Sequence, residues 1–266
     1  MKNSIITLLT DFGTKDHYVA SMKGIILSIH PSCTLVDLTH EVSPYNIKQG
    51  AFLLAHAYST FPKGTIHLAV VDPGVGGSRR PILIVTSNYF FIGPDNGLFT
   101  LALRKEKVEQ LIALMNQRYF LPQVSFTFHG RDIFAPVAGY LSLGVKPKSF
   151  GKEMDSLVEL DFQRPHIQGE RLIGQILHID PFGNLISNID EQQLHHFSRQ
   201  RPMIVEVGKK EVIGLKKGYW EVKKGRWIAL IGSGGFLEVS IKEGNAQKAL
   251  KVKEGDKIQI KVGQRR

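Results

Sequence analysis

The feature that most constrains this chain is a change of hydrophobic pattern at about residue 150. Before that point, short apolar runs alternate with segments whose apolar residues recur every three or four positions, which predicts strands alternating with amphipathic helices. The predicted elements follow in order as strand 4–9, helix 16–29, strand 34–38, helix 46–61 and strand 65–71. Because a strand–helix–strand unit brings its two strands together in parallel, this half predicts an α/β sheet.

The end of this half departs from strict alternation. Two further predicted strands, at 82–85 and 90–92, have no helix between them, so we expect a mixed sheet. A helix predicted over 132–143 follows. The pattern then fades over 151–168, which indicates a linker, and we place the N-terminal α/β domain at residues 1–163.

Beyond the linker, short β-type runs follow one another without a helical pattern between them. They lie at 172–179, 185–189, 203–207, 227–231, 236–241 and 257–262. Turns containing glycine separate most of these runs. Strands at this density predict a smaller C-terminal domain over 170–266, built as an antiparallel β-barrel or sandwich, with the barrel as the expected form.

The net charge of +10 raises the question of a polyanionic partner. Most of the excess lies in the C-terminal third, where lysine pairs recur at 209–210, 216–217 and 223–224. Such pairs are typical of hairpin turns and strand edges, which lysine protects from edge-to-edge pairing. Only Tyr219 and Trp220 are interleaved with the pairs, fewer aromatic residues than a single-stranded nucleic acid surface uses. We therefore expect a solvated basic face and no nucleic-acid partner.

The compartment is predicted from apolar runs and cysteine use. No apolar run approaches the ~20 residues that span a bilayer, so we expect no membrane association. The apolar stretch at 5–9 is too short for the core of a signal peptide. The single cysteine, Cys33, excludes an intramolecular disulfide. We expect Cys33 to lie in the core of a cytoplasmic protein.

Polar clusters follow predicted strands where a parallel sheet gathers functional groups. They are Thr-Asp-Phe-Gly at 10–13, Asp-Pro-Gly-Val-Gly-Gly-Ser-Arg-Arg at 72–80 and His-Gly-Arg-Asp at 129–132. Since loops at the C-terminal ends of parallel strands face an open crevice, their carboxylate, guanidinium and imidazole groups can meet there. The glycine-rich loop lacks the Gly-Lys-Ser/Thr ending of a P-loop, and no His-Glu-x-x-His motif occurs. We expect neither a P-loop nor a metal site.

An ordered series of motifs carries a family resemblance. Besides 10–13 with Asp16, the motifs lie at 22–24, 71–76, 93–97, 128–132, 180–184 and 232–238. Together they resemble the S-adenosyl-L-methionine (SAM) hydroxide adenosyltransferases, or SAM hydrolases, along nearly the whole chain. Each motif alone is weak, but the ordered set is specific. Related halogenases share that fold and attack the same carbon of SAM with a halide ion.

The resemblance implies a reaction and an assembly. SAM and water would give adenosine and L-methionine by in-line attack at the ribose C5′ carbon, with no cofactor. By motif match, Asp72, Arg79 and His129 would carry catalysis. The halogenases do not keep this set, so its presence favours water over a halide. The resemblance also implies a homotrimer, with each site between the N-terminal domain of one subunit and the C-terminal domain of its neighbour.

The implied catalytic residues fit this chemistry. Water is a poor nucleophile, so a positioned base could contribute ~10²–10⁴-fold to the rate. Arg79 close to Asp72 would keep the carboxylate ionised, which suits Asp72 to orienting water. His129 is then the expected proton acceptor near neutral pH, although the motif match leaves the choice between Asp72 and His129 open.

The implied substrate contacts follow from the same matching. Asp11 would take both ribose hydroxyls, because a carboxylate can accept from two vicinal donors. Asn184 offers a donor and an acceptor to an adenine edge. Phe182 and Tyr219 would offer flat apolar faces to the adenine ring. The other implied contacts are Asp16, Asp72, Ser233, Glu238 and Ile241. Gly234 stands where relatives often have a second serine, which leaves one contact to the methionine end open.

Structural interpretations and rival functions stand beside this hypothesis. Asp11 and Asp72 are of a type that caps helices and turns, and we expect Arg131 and Asp132 to form a structural ion pair. For the other candidates, the alternative interpretation is a core or turn residue that does not contact substrate. The rival functions are a SAM-dependent halogenase, a sensor that binds SAM or adenosine without turnover, and an RNA-contacting protein that uses the basic barrel.

Overall fold

The computed structural model describes residues 4–199 and 201–263. The chain divides into two compact units, Met1–Leu160 and Asp161–Arg266. No helix in the described part of the chain is both long and apolar enough to cross a membrane.

The N-terminal unit is a mixed α/β sheet with helices on both faces. Across residues 4–160 its elements are β1 (Ile5–Thr10), α1 (Tyr18–Ile29), β2 (Thr34–Thr39), α2 (Ile47–Ala57), β3 (Ile66–Val70), β4 (Pro81–Thr86), β5 (Phe90–Pro94), α3 (Thr100–Leu103), β6 (Val108–Leu114), α4 (Ala135–Ser142) and β7 (Gly151–Glu153). The strands are ordered β2-β1-β3-β5-β4-β6-β7. The first four of these pair in parallel, and β4, β6 and β7 pair antiparallel. The predicted mixed sheet is confirmed.

The two faces of this sheet carry separate apolar clusters. On one face, Met22 and Ile26 of α1 pack with α4 against Ile6 and Leu8. On the other face, residues of α2 and α3 pack against Leu9 and neighbouring side chains. All five residues of β3 are buried, as expected for a central parallel strand. The free thiol of Cys33 lies in the first cluster, which confirms its predicted core position.

The C-terminal unit is an antiparallel, barrel-like sheet. Across residues 161–199 and 201–263 its elements are β8 (His166–Gln168), β9 (Arg171–Ile179), β10 (Leu185–Asp190), α5 (Glu191–Ser198), β11 (Met203–Val207), β12 (Lys210–Ile213), β13 (Trp227–Ile231), β14 (Phe236–Ile241), α6 (Ala246–Leu250) and β15 (Lys257–Val262). The strand order is β12-β11-β15-β9-β10-β14-β13, with β8 added beside β9. The α/β class with a second antiparallel unit is therefore confirmed.

Two features differ from the predicted pattern. The segment predicted as a linker begins with β7 and ends with β8, which pair with β6 and β9, and only the residues between these two strands form an irregular connection. Two helices also interrupt the strands of the C-terminal unit. Helix α5 begins with a capping box, in which Asp190 accepts from Gln193 N and the Gln193 side chain accepts from Asp190 N. That pairing satisfies backbone N–H groups at the helix start and favours a helix where only strands were expected.

Candidate functional site

The candidate site of the N-terminal unit is built on an aspartate–arginine pair. Asp72 lies two residues beyond the end of β3, and Arg79 lies two residues before β4. Arg79 Nε is 3.0 Å from Asp72 Oδ1, and Arg79 Nη2 is 2.5 Å from Asp72 Oδ2. The side chains are 4% exposed for Asp72 and 9% exposed for Arg79. This bidentate geometry fixes the plane of the carboxylate.

A glycine lets the loop between these two residues pack closely on a second loop. Gly76 has a φ of 75°, in the left-handed region, and a Cβ there would lie 2.1 Å from the backbone oxygen of Phe126. Only glycine fits both constraints. The loop that carries Arg79 therefore rests against the segment that leads to His129.

His129 completes the cluster through its Nδ1 atom, which lies 2.7 Å from Arg79 Nη2. A guanidinium can only donate, so His129 Nδ1 accepts and the neutral ring carries its proton on Nε2. Burial lowers the pKa of His129, and the charge of Arg79 lowers it further. This geometry differs from the expected role of His129 as proton acceptor, because its acceptor nitrogen is already occupied.

The loop that carries His129 is held by a buried carboxylate. Asp132 is completely buried, its Oδ1 is 2.6 Å from Arg131 Nε, and its Oδ2 accepts from Ser125 N at 2.8 Å. The predicted structural ion pair of Arg131 and Asp132 is confirmed. Both residues belong to a π-helical turn at Gly130–Phe134, directly after His129. Such turns occur often at functional sites.

Asp11 lies just beyond the end of β1, close enough to Asp72 for the two charges to interact. Burial raises the pKa of Asp11 above its ordinary value, and the charge of Asp72 raises it further, against the hydrogen bond from Tyr45 N. Asp11 Oδ2 accepts that hydrogen bond at 2.9 Å. Asp16 lies apart, since its side chain is mostly exposed and contacts His17 at 3.3 Å.

Tyr45 is a feature that the sequence did not single out. Its backbone has a φ of 66°, unusual for a residue with a side chain, and the residue as a whole is 71% exposed. The contact to Asp11 uses the backbone N–H, which leaves no pattern in the side chains. The nearest sequence signal is Asn46, which caps α2 by accepting from Gln49 N at 3.0 Å.

The predicted contacts of the C-terminal unit include a tight turn before β10. Asp180 Oδ1 accepts from the backbone N–H groups of Phe182 at 3.0 Å and of Asn184 at 2.9 Å. Asp180 Oδ2 accepts from the side-chain amide of Asn184 at 2.8 Å. Phe182 is 74% exposed. Asp180, overlooked as a candidate, therefore positions both predicted residues.

A second polar cluster of this unit surrounds Glu238 on β14. The hydroxyl of Tyr219 donates to Glu238 Oε1, and the hydroxyl of Ser240 donates to the same oxygen at 2.8 Å. Burial, together with Glu238, raises the pKa of Tyr219 to about 12. A Cβ at Gly232 would lie 2.8 Å from Glu238 Oε2, so glycine leaves room for this carboxylate. Tyr219, expected to offer a ring face, also holds Glu238.

The last two predicted contacts lie at opposite ends of β14. Ser233 is exposed at the turn between β13 and β14, which a hydrogen bond from Gly232 N to Phe236 O closes at 2.9 Å. Ile241 ends β14, pairs with Trp227 and packs against the core of the unit. The alternative interpretation of Ile241, as a core residue, thus has direct structural support.

The described residues contain no group of three or more His, Cys, Asp or Glu side chains arranged to hold a metal ion. The cluster of Asp72, Arg79 and His129 instead offers an ionised acceptor, a fixed positive charge and a neutral imidazole donor. Such a set can orient a small polar nucleophile and stabilise negative charge on it.

Comparison with known proteins gives a family for both units. The SAM hydroxide adenosyltransferase N-terminal domain matches residues 6–151, and the C-terminal domain of that family matches residues 174–259. The chain is similar to a protein of Methanocaldococcus jannaschii (38% identity, covering 96% of this chain and 95% of that one) and one of Thermus thermophilus (36%, covering 96% and 98%). Both are named (R)-S-adenosyl-L-methionine hydrolase.

Two further similarities bear on the fold and on the alternative reaction. The crystal structure of an uncharacterised conserved protein from Thermotoga maritima matches with a TM-score of 0.91 and 38% identity, over 96% of this chain and 99% of that one. A fluorinase from an Actinoplanes species is 28% identical over 72% of this chain and 74% of its own length. Halide-using relatives are therefore more distant than the hydrolases.

Proposed function

Since this chain belongs to the SAM hydroxide adenosyltransferase family, we propose that it hydrolyses SAM to adenosine and L-methionine. The observation that carries the proposal is the contact of Arg79 with both Asp72 and His129. A halide needs no proton removed from it, whereas water does. A carboxylate fixed beside a guanidinium and an imidazole is suited to orienting a water molecule and accepting its proton.

In this proposal, Asp72 orients the attacking water and takes its proton. Attack by neutral water at C5′ forms a protonated alcohol, a far stronger acid than a carboxylic acid, so even a carboxylate paired with arginine can accept the proton. His129 Nδ1 is engaged by Arg79 and cannot serve. The proton passes from Asp72 to solvent, which balances the reaction of cationic SAM and water to adenosine, methionine and a proton.

Arg79 and His129 hold the nucleophile oxygen. Arg79 Nη1 is buried and has no hydrogen-bond partner within residues 4–199 and 201–263. Together with the Nε2–H of His129, it offers a donor that fixes the position of the water oxygen before attack. Methionine departs as a neutral thioether, so the leaving group needs no acid. A site with little water favours the loss of the sulfonium charge.

Asp11 anchors the substrate away from the breaking bond. Its carboxylate accepts from the two ribose hydroxyls, and Asp16 lies nearer the solvent as a weaker contact. Fixing the ribose holds C5′ in line with the water and with sulfur, the geometry that a displacement requires.

The C-terminal unit supplies the remaining substrate contacts of the proposal. Asn184 and the ring of Phe182 serve adenine, and Ile241, at the end of the strand that carries Glu238, contacts it through main chain or packing. Tyr219, Glu238 and Ser233 serve the adenine or methionine end. We propose that the protein acts in the cytoplasm as a homotrimer, in which this unit faces the N-terminal unit of the neighbouring subunit.

The configuration at the sulfonium sulfur defines the substrate more closely. Relatives of this chain are named as hydrolases of the (R) form. We extend that preference to this chain as part of the proposal. With adenosine anchored through the ribose, the two sulfonium forms direct the methionine chain differently, so one site cannot orient both equally.

The test is incubation of the purified protein with separated (R) and (S) forms of SAM in ¹⁸O-labelled water, with and without chloride or fluoride. The proposal expects labelled 5′-hydroxyl in adenosine, formed faster from the (R) form, and no 5′-halo product. Asp72→Asn is the matched control for contaminating activity. Unchanged SAM with tight adenosine binding would indicate a sensor, and a halogenated nucleoside would indicate a halogenase.

A further inference from the structure

His40 contacts both ends of the turn that carries Asp11. It follows β2, and its side chain is buried. His40 Nδ1 lies 2.9 Å from Thr10 Oγ1, and its backbone oxygen accepts from Gly13 N at 2.8 Å. One residue thus holds the start and the end of the 10–13 turn.

The polar contacts of His40 form a chain from the Asp11 turn to helix α1. The hydroxyl of Thr10 accepts from Phe12 N at 3.2 Å, so its own proton is available to His40 Nδ1. The proton of the neutral ring then lies on Nε2, which is 3.0 Å from Asp37 Oδ1. Lys23 Nζ, on α1, lies 2.6 Å from Asp37 Oδ2.

This order of carboxylate, imidazole and hydroxyl is also that of a nucleophilic triad. Two observations exclude a nucleophile here. Thr10 is completely buried, and its oxygen already accepts a hydrogen bond from the backbone of its own turn. The chain therefore ends in the backbone of the Asp11 turn, and its consequence is the position of that turn.

We propose that His40 is a positioning residue for the substrate ribose, acting through Asp11. This inference rests on the proposed function, since it takes Asp11 as the ribose anchor. Asp11 also accepts from Tyr45 N, so its carboxylate is held from one side by residue 45 and through its backbone by His40. Loss of the His40 contacts loosens the second constraint and misdirects the carboxylate.

The test is a double-mutant cycle on adenosine affinity, measured by calorimetry. His40→Ala should weaken adenosine binding about tenfold in the parent protein and less than twofold in the Asp11→Ala background, since coupled residues are not additive. His40→Asn should regain most of the loss, because its amide lies near the position of Nδ1. With SAM, the effect should fall on KM more than on kcat.

The matched control is His30→Ala, which removes another buried histidine of the same unit whose Nδ1 lies 2.8 Å from a hydroxyl, that of Ser142. It should leave adenosine affinity within twofold of the parent. Should His40→Ala fail to fold, Asp37→Asn, which removes the charge facing Nε2, should weaken binding two- to threefold. Equal losses with and without Asp11, or no loss in any of these variants, would overturn the proposal.

Hydrogen exchange separates failure of this inference from failure of the proposed function. His40→Ala should speed exchange at the amide of Phe12, because its acceptor, Thr10 Oγ1, loses the contact with His40 Nδ1. If the parent does not bind adenosine while His40→Ala still shows this faster exchange, the proposed function is rejected. The role of His40 toward the ribose is then rejected with it. Unchanged exchange and unchanged affinity in a folded variant, with adenosine bound by the parent, would reject only the role of His40.

Discussion

Arg79 donates a hydrogen bond from Nη2 to Nδ1 of His129 across 2.7 Å. Because a guanidinium cannot accept, this contact assigns the proton of the neutral imidazole to Nε2. His129 therefore presents a donor to the rest of the site, and Asp72 is the acceptor of the cluster. The division of roles between two residues that the motif left open thus has a geometric basis.

We expect turnover to resist mild acid. Burial and the charge of Arg79 lower the pKa of His129, against smaller opposing effects of Asp72 and Asp132. Protonation would add a proton to Nδ1, facing Arg79 Nη2, and break the contact. Because the folded-state pKa lies below the ordinary value of 6.5, kcat should stay level as pH falls through that value and decline only below it.

The measurement is kcat against pH for the parent and for His129→Asn, whose amide oxygen can accept from Arg79 without titrating. The variant should lose the acid decline that belongs to His129. A parent profile that declines at or above 6.5 would contradict the assigned surroundings of the ring.

Removing the charge of Asp72 should act on catalysis. Asp72→Asn keeps the shape of the side chain but removes the ionised acceptor, so we expect kcat to fall on the order of 10²-fold or more. Adenosine affinity should change by less, because C5′ and the ribose are held elsewhere. Rates at saturating SAM and calorimetry with adenosine distinguish the two effects.

Asp95→Asn is the matched control for this substitution. Asp95 is a buried carboxylate of the same unit, 2.5 Å from Arg80 Nη2, with a second contact from Arg80 Nε at 2.9 Å. Its loss should lower the denaturation midpoint while kcat stays near the parent value. A similar loss of kcat in both variants would mean that the effect of Asp72 is structural.

Removing Asp11 should act on binding. Asp11→Ala loses a charge-assisted contact, which costs about 1.5–3 kcal/mol of adenosine affinity. In the parent, burial and Asp72 raise the pKa of Asp11, so adenosine affinity should weaken on acidification from a higher pH than the ordinary value of 3.8 implies. The pH dependence should vanish in Asp11→Ala. An unaltered affinity in this variant would reject the ribose assignment.

The parts of this structure that the sequence predicted are those that depend on local pattern. The alternating first half and the strand ends that carry Asp72 and Arg79 follow from periodicity, and the structure brings these two side chains together as expected. Strand β6 was not predicted, because its first two residues are exposed and its apolar pattern is incomplete. Helix α5 was missed although Asp190 and Gln193 have the spacing of a capping box.

The details that the sequence did not supply depend on the paths of loops. The tautomer of His129 follows from where Arg79 reaches, which the packing of Gly76 against Phe126 decides. The contact of Tyr45 with Asp11 is made by the backbone, so no residue type marks it. Tyr219 was expected to offer a ring face, and only the path of the turn at Tyr219–Glu221 reveals that its hydroxyl meets Glu238.

The Tyr219 hydroxyl should stabilise the C-terminal unit. Tyr219→Phe removes one of the two hydroxyl donors to Glu238 Oε1 and leaves a buried acceptor with one partner fewer, at a cost of about 1–3 kcal/mol in the free energy of unfolding. Denaturant unfolding measures it. Ser240→Ala removes the other donor, and the double variant should lose less than the sum of the single losses, because the Tyr219 hydroxyl also donates to Ser240 Oγ at 3.2 Å and each single substitution already removes that contact. Strict additivity would contradict a shared role.

The proposed trimer makes a prediction that mixing can test. Light scattering should give the mass of three subunits.

Asp72→Asn and Asn184→Ala each disable a different half of the proposed site, so each variant alone should be nearly inactive. After the two are unfolded together at equal amounts and refolded, about a quarter of the sites should combine an intact N-terminal unit with an intact C-terminal unit of the next subunit, as random assembly of a cyclic trimer requires. Activity should rise accordingly, whereas refolding each variant separately before mixing should give no gain. Sites completed within a single subunit would give no gain in either case, and a monomeric mass with full turnover would reject the trimer itself.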